Sequence, residues 1–132
     1  MKDYLNVEDN KLKRILVVGG GFVGLTLSAK LLKSKDCFVT VLENNVEKVD
    51  GFLVKNYGIF EPGLDSILNT NFAENRLTFV HKLDEAKFDL VFICINTNKD
   101  ELNRIDKQLE LVNSLVNNLS EFAHIYLSLI HI

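Results

Sequence analysis

A cluster of glycines between an apolar run and a helical pattern constrains this chain more than any other feature. Residues 14–32 are RILVVGGGFVGLTLSAKLL. The run ILVV is unbroken in its apolar character, as expected of a parallel strand that is covered on both faces. After the glycines, apolar residues recur at helical spacing. The segment is therefore predicted to fold as a strand, a tight turn and a helix.

Three of the glycines, Gly19, Gly21 and Gly24, fit the pattern GxGxxG, in which Gly20 is the first intervening residue. The first glycine permits the sharp turn, the second lets a pyrophosphate approach the backbone, and the third allows helix and strand to pack closely. Free amides and the positive end of the helix dipole would converge at this turn. We predict that the turn binds a phosphate group, provided that no protein group occupies its amides.

A second predicted strand, CFVTVL, is followed by Glu43, which stands about 20 residues after Gly24. An acid at this spacing contacts the hydroxyl groups of the adenosine ribose in dinucleotide-binding proteins. A carboxylate there also repels a 2′-phosphate, so the sequence favours NAD over NADP, although Lys48 and Lys55 would soften that preference. The competing interpretation is a turn without a ligand and a solvated charge at Glu43.

The size and charge of the chain exclude several classes of protein. Its 132 residues are 47% hydrophobic and 25% charged, which suits one globular domain with a single core. The net charge of −3 provides no basic field, so nucleic-acid binding is not expected. No stretch approaches a membrane span of about 20 apolar residues, and the N-terminus lacks the apolar segment of a secretory signal. We expect a cytoplasmic protein that does not bind membranes.

The order of the predicted elements indicates an α/β, Rossmann-like fold. Residues 1–13 are predicted to form a flexible arm, and residues 14–132 a dinucleotide-binding domain. Five strands are predicted, with a brief helical turn at residues 82–87 and the longest helix at residues 102–119. These elements predict a doubly wound parallel sheet with strand order 3-2-1-4-5 and helices on both faces. The chain ends on the apolar fifth strand, which suggests a truncated enzyme or an edge buried against a partner, as in a homo-oligomer.

Side chains that often carry chemistry have structural explanations here. Cys37 opens the second predicted strand and Cys94 lies within the fourth, so both are predicted to be reduced core residues. His81, His124 and His131 have no carboxylate or cysteine at the spacing of metal ligands. We therefore predict no catalytic residue and no metal site.

The chain resembles the N-terminal NAD-binding domain of the UDP-glucose/GDP-mannose (nucleotide-sugar 6-) dehydrogenase family over residues 13–128. GGGFVG is similar to the family's GxGYVG turn, LENNVEKVD to its VDxxxxKV segment, and YGIFEPGLDSIL to its PxYEPGLxxLL. The EPGL match, which begins at Glu61, is the specific one, because GxGxxG occurs in many families. Glu61 itself has two interpretations, a functional role or a cap for the helix that follows.

The resemblance implies a set of residues that bind the cofactor. The turn would hold the pyrophosphate, Glu43 and Lys48 would lie at the adenosine ribose, and Thr97 would contact the middle of the dinucleotide. The residues assigned to NAD are Gly19, Gly21, Phe22, Val23, Gly24, Glu43, Lys48 and Thr97. The sequence departs from the family at Asn96 and Asn98, which replace prolines, and at Leu129, which replaces a threonine.

The resemblance also implies a function. The family oxidises the C6 alcohol of a nucleotide-sugar to a carboxylate, using two NAD and a cysteine of a downstream domain that this chain lacks. The chain is therefore expected to be truncated and to bind NAD without turnover, and the nucleotide-sugar would bind to a full-length parent. The alternatives are a stand-alone dinucleotide-sensing module, which would not need EPGL, and a decayed remnant with no occupied site.

Overall fold

The computed structural model describes residues 12–83, 88–96 and 124–130. Strands alternate with helices through most of this part of the chain, as a parallel sheet requires. The described elements are β1 (Lys13–Val18), α1 (Phe22–Leu32), β2 (Cys37–Leu42), α2 (Val46–Leu53), α3 (Leu64–Ala73), β3 (Leu77–Val80), β4 (Leu90–Asn96) and β5 (His124–Ile130).

The strands form one sheet in the order β3-β2-β1-β4-β5, and every neighbouring pair is parallel. The predicted parallel α/β sheet is confirmed, and its first four strands have the predicted order 3-2-1-4. Val18, at the end of β1, pairs with Leu42 of β2 and with Ile93 of β4. The carboxyl ends of the three central strands therefore lie together, at the edge of the sheet where ligands bind in open α/β folds.

Alternate residues of the central strands face two separate apolar clusters. Ile15 and Val17 of β1 face the cluster to which α1, α2 and α3 contribute, whereas Leu16 and Val18 face a smaller cluster that includes Phe88. These four β1 side chains are at most 2% exposed. Each contributes about 1.5–3 kcal/mol through its burial, which explains why the apolar run is a reliable signal for a central strand.

All three described helices pack on the same face of the sheet. The predicted helix for the opposite face, residues 102–119, lies outside the described residues, as do residues 84–87 of the predicted helical turn. Among the described residues, no helix is long and apolar enough to cross a membrane.

β1 begins at Lys13, the last residue of the predicted N-terminal arm. Lys13 belongs to β1, where it pairs with Cys37 and its amide donates to the carbonyl of Asp36 at 2.8 Å. Main-chain pairing does not depend on side-chain polarity, so a lysine is tolerated at the end of a strand. Residues 1–11 of the predicted arm lie outside the described residues.

Candidate functional site

The first glycine of the pattern lies where the ends of three strands meet. Gly19 has φ +109°, a conformation that L side chains rarely adopt, and a Cβ atom there would lie 2.0 Å from the carbonyl oxygen of Cys94 in β4. Its amide donates to the carbonyl of Leu42, at the end of β2, over 2.7 Å. The turn is therefore fixed at the junction of β1, β2 and β4 by contacts that only glycine permits.

The last glycine of the pattern allows α1 to pack directly on the turn. A Cβ atom at Gly24 would lie 1.8 Å from the carbonyl oxygen of Gly19 and 3.4 Å from a methyl group of Val17. Gly24 is buried, and its carbonyl accepts a hydrogen bond of 2.7 Å from the hydroxyl of Ser28. The predicted role in close packing between helix and strand is thus confirmed at this position.

The middle glycine, Gly21, faces open space. A Cβ atom there would meet no atom of the described residues within 4 Å, apart from its two chain neighbours. The next two residues, Phe22 and Val23, begin α1, and the first helical hydrogen bond runs from the Leu25 amide to the Gly21 carbonyl at 3.0 Å. No described residue accepts a hydrogen bond from the amide of Phe22 or Val23. The helix end thus offers free donors beside an unfilled space, which suits a phosphate.

Gly20 has a structural role that the sequence pattern does not reveal. A Cβ atom there would lie 2.8 Å from the ring of Phe52 and 3.3 Å from the Cβ atom of Glu43. Phe52 is a buried residue of α2, so the aromatic ring packs against the backbone of the turn. The available signal for this contact was the glycine at the second position of the pattern, where GxGxxG requires none.

Glu43 is a buried carboxylate with two defined partners. It follows β2 and is 9% exposed. Its Oε1 atom accepts from the amide of Gly20, and its Oε2 atom accepts from the amide of Asn45, each at 2.9 Å. The interpretation of Glu43 as a solvated charge is therefore wrong, because two backbone donors hold the carboxylate against the turn.

The amide of Gly20 is consequently occupied, in contrast to the expectation of a fully free turn. The amides of Phe22 and Val23, two and three residues further on, meet that expectation within the described residues. The phosphate-binding prediction therefore applies to the start of α1 rather than to every amide of the glycine cluster.

An open cavity of about 490 Å³ lies beside the turn. Its lining includes Gly21, the ring of Phe22, which is 55% exposed, and the exposed Lys48. The cavity has the size of a small-molecule site. Glu43 is not among the residues that line it, but its partner Asn45 is.

The start of α2 and the segment after it supply cavity residues that the sequence did not identify. The Oδ1 atom of Asn45 accepts from the amides of Glu47 at 3.0 Å and Lys48 at 3.4 Å, which fixes the first turn of α2 at the cavity. Asn56 and Tyr57 also line the cavity. An asparagine before an amphipathic run is a recognisable N-cap, whereas nothing local identifies residues 56–59.

Thr97, the remaining predicted cofactor contact, lies outside the described residues. Of the predicted set, the structure brings Gly19, Gly21, Phe22, Val23 and Gly24 together in one turn, with Glu43 bonded to it and Lys48 across the adjoining cavity.

Glu61 of the EPGL segment is exposed, and no described residue donates a hydrogen bond to its carboxylate. Gly63, with φ +82°, occupies the N-cap position of α3 without a side-chain hydrogen bond. The structure thus shows no cap from Glu61. This residue and the fully exposed Phe60 border a second cavity of about 550 Å³.

Both cysteines are buried and free, as predicted. Burial raises the pKa of the Cys37 thiol and of the Cys94 thiol, so both stay protonated at neutral pH. Among the described residues, no three His, Cys, Asp or Glu side chains are grouped so as to hold a metal ion.

Comparison with known proteins gives a consistent family. The family model described as "UDP-glucose/GDP-mannose dehydrogenase family, NAD binding domain" matches residues 13–130. The UDP-glucose 6-dehydrogenase YwqF of Bacillus subtilis is 33% identical over 85 residues, which are 63% of this chain and 19% of the relative. A UDP-glucose 6-dehydrogenase of Caenorhabditis elegans is 29% identical over 119 residues, which are 86% of this chain and 24% of the relative.

Solved structures share the fold. The UDP-N-acetyl-mannosamine dehydrogenase Cap5O of Staphylococcus aureus superposes with a TM-score of 0.72 at 22% identity, over 88% of this chain and 28% of that chain. A GDP-mannose dehydrogenase of Pseudomonas aeruginosa gives the same TM-score of 0.72 at 23% identity and the same coverage. The chain spans about a fifth of the length of the first relatives that it matches, 19% in each. The chain belongs to the UDP-glucose/GDP-mannose dehydrogenase family and contains that family's NAD-binding domain.

Proposed function

We propose that this chain binds NAD at the start of α1, as the cofactor-binding part of a nucleotide-sugar 6-dehydrogenase. The proposal depends chiefly on Gly21, where the described residues leave open space beside the amides of Phe22 and Val23 and provide no acceptor for either amide. A pyrophosphate in that space would receive hydrogen bonds from both amides and would be stabilised by the positive end of the α1 dipole. The cofactor that the family implies thus fits the residues present.

The adenosine half of the cofactor is assigned to the cavity beside the turn. Lys48 lines this cavity, and the Glu43 carboxylate lies behind its edge, bonded to Gly20 and Asn45. A carboxylate oxygen has two acceptor sites, so each oxygen of Glu43 retains capacity for a ribose hydroxyl. Thr97 is proposed as the contact to the middle of the dinucleotide, on the resemblance alone.

The proposed reaction of the full-length enzyme is the oxidation of a nucleotide-sugar. This chain corresponds to the cofactor-binding part of such an enzyme. The relatives named as UDP-glucose 6-dehydrogenases support this substrate class. Cys37 and Cys94 are unsuited to covalent catalysis, because both are buried with raised thiol pKa values. We therefore assign NAD binding, and no catalytic residue, to this chain.

Cellular location and assembly are further parts of the proposal. A cytoplasmic location is supported by the two free, buried cysteines, because cysteines remain reduced in that compartment. Self-association through the strand at the sheet edge, β5, is proposed from its apolar sequence, HIYLSLI.

A calorimetric titration of NAD into the purified chain tests the central proposal, with Gly21→Ala as the informative variant. Within the part of the chain that the structure describes, the added methyl group meets no atom within 4 Å beyond its chain neighbours, so it extends into the space assigned to the pyrophosphate. We expect NAD affinity to fall at least about tenfold, a typical cost of overpacking. Unfolding in urea serves as the control and should not show destabilisation. Equal NAD affinity in both proteins, or no NAD binding by the unsubstituted chain, would contradict the proposal.

A further inference from the structure

Glu43 connects the glycine turn to the start of α2, two parts of the site that are distant from each other in the sequence. One carboxylate oxygen accepts from the amide of Gly20, in the turn between β1 and α1, and the other accepts from the amide of Asn45, at the start of α2. Glu43 is 9% exposed, and its bond to Gly20 is buried and shielded from competition with water, whereas its bond to Asn45 is partly buried. Glu43 is therefore a buried bridge between the glycine turn and α2.

Each end of this bridge carries groups that face the candidate cofactor cavity. On one side, Gly20 is followed by Gly21, whose open space receives the phosphate under the proposed function. On the other side, Asn45 caps α2 and fixes the turn that bears Lys48. A change in the Glu43 carboxylate would thus alter the relative position of the phosphate donors and of the α2 residues.

We propose that Glu43 is a positioning residue for the pyrophosphate turn, in addition to any contact with the ribose. The inference rests on the proposed function, because it takes the ligand to be a dinucleotide. It has a specific consequence: Glu43 strengthens binding even to a nucleotide that has no ribose hydroxyl groups for the carboxylate to contact. A residue that only recognised the ribose would have no effect on such a nucleotide.

The test combines two nucleotides with three substitutions in the full chain. ADP carries the 2′ and 3′ ribose hydroxyls and a diphosphate. In contrast, 2′,3′-dideoxy-ADP keeps the diphosphate but lacks both hydroxyls. Glu43→Ala removes both acceptors, and Glu43→Gln keeps one acceptor oxygen in a side chain of the same size. Asp50→Asn is the matched control, because it removes one negative charge from an exposed position of α2.

Calorimetric titration should show a graded loss of affinity for dideoxy-ADP. We expect Glu43→Ala to bind dideoxy-ADP at least about tenfold more weakly than the unsubstituted chain, as for one lost hydrogen bond to a charged group. Glu43→Gln should give an intermediate loss, and Asp50→Asn a change of less than about twofold. If Glu43 variants lose affinity for ADP but retain the unsubstituted affinity for dideoxy-ADP, the positioning role is wrong.

Amide hydrogen exchange in the ligand-free protein gives a second measurement that does not depend on nucleotide binding. The amides of Gly20 and Asn45 should both exchange faster in Glu43→Ala, and at least one of them in Glu43→Gln, while those of Val17 and Val41 in the sheet retain their protection. Unchanged exchange at Gly20 and Asn45 would overturn the proposal. If the unsubstituted chain binds neither nucleotide, the proposed function fails, whereas the exchange result still decides whether Glu43 positions the turn.

Discussion

A methyl group on Gly24 would lie 1.8 Å from the carbonyl oxygen of Gly19, so α1 and the turn meet through bare backbone. Neither partner is a flexible side chain that can move aside. The distance is far inside van der Waals contact, and helix and strand would have to separate to admit the methyl group.

Gly24→Ala and Gly19→Ala should therefore destabilise the fold, each by about 3 kcal/mol or more. Urea denaturation measures this loss as a lower transition midpoint. Gly21→Ala is the matched control, because its methyl group meets no atom of the described residues within 4 Å, its chain neighbours aside, and its φ of −86° suits alanine. That control should be neutral or more stable by about 0.4–1 kcal/mol. Equal midpoints for Gly24→Ala and Gly21→Ala would show that the close packing is not as described.

Gly20 and Phe52 should be energetically coupled. Gly20→Ala places a methyl group 2.8 Å from the Phe52 ring, and we expect a loss of about 1–3 kcal/mol in the free energy of unfolding. Phe52→Leu shortens the opposing side chain, so the double variant should lose less than the sum of the single variants. A double-mutant cycle in urea measures the coupling. Strict additivity would contradict the contact.

Arg76 should matter for stability without affecting the cofactor. Its guanidinium donates to the carbonyls of Leu32, Ser34 and Cys37 and to the Oδ1 atom of Asn71, at the edge of the sheet opposite the glycine turn. Arg76→Met leaves these acceptors without that donor, and we expect a cost of about 2–3 kcal/mol in urea denaturation. The affinity for NAD at low temperature, measured by calorimetry, should change less than about twofold. A large loss of NAD affinity in a folded variant would contradict this separation.

The stability of the fold should fall at alkaline pH. Burial raises the pKa values of Cys37, Cys94 and Tyr57. The folded state therefore retains protons that the unfolded state releases above about pH 8.5, the ordinary cysteine value. The stabilisation is complete below that value and is lost as the pH rises through the raised pKa values. Urea midpoints at about pH 7.5 and about pH 9.5 measure the loss, and Cys94→Ala should show a smaller decrease. A midpoint that rises with pH would contradict the buried thiols.

NAD should bind more tightly than NADP. The buried Glu43 carboxylate lies at the end of β2, where the 2′ position of the adenosine ribose is expected, and two like charges about 4 Å apart near a protein surface repel by about 4 kcal/mol. We expect NADP to bind at least about tenfold more weakly in parallel titrations. Lys48→Ala should weaken NADP further, because it removes the cation that lines the cavity. Equal affinities for the two cofactors would contradict the assigned role of Glu43.

The sequence predicted those parts of the fold that depend on local pattern. The apolar run at residues 15–18 specifies a central strand, because each residue there is buried on one face or the other. The glycine spacing specified the turn, since the limit at Gly24 comes from the carbonyl of Gly19 within the same strand–turn–helix unit.

Other features depend on residues that are distant in the chain. The hydrogen bond from Gly20 to Glu43 spans 23 positions, and no local pattern indicates that a carboxylate will fold back under the turn. The same holds for the packing of Phe52 on Gly20 and for the place of Tyr57 in the cavity wall. Spacing from Gly24 identified Glu43 as a candidate, but only the tertiary structure shows that the backbone holds it.

The packing of Phe52 against Gly20 limits how this site can be transplanted. A designer who grafts the glycine hexapeptide alone into another parallel sheet would leave one side of the loop without support. The graft would need the aromatic residue of the next crossover helix as well, and a glycine at the second position to receive it. The support of the glycine turn therefore comes from two successive crossovers, the one that contains α1 and the one that contains α2, and the short motif includes only the first.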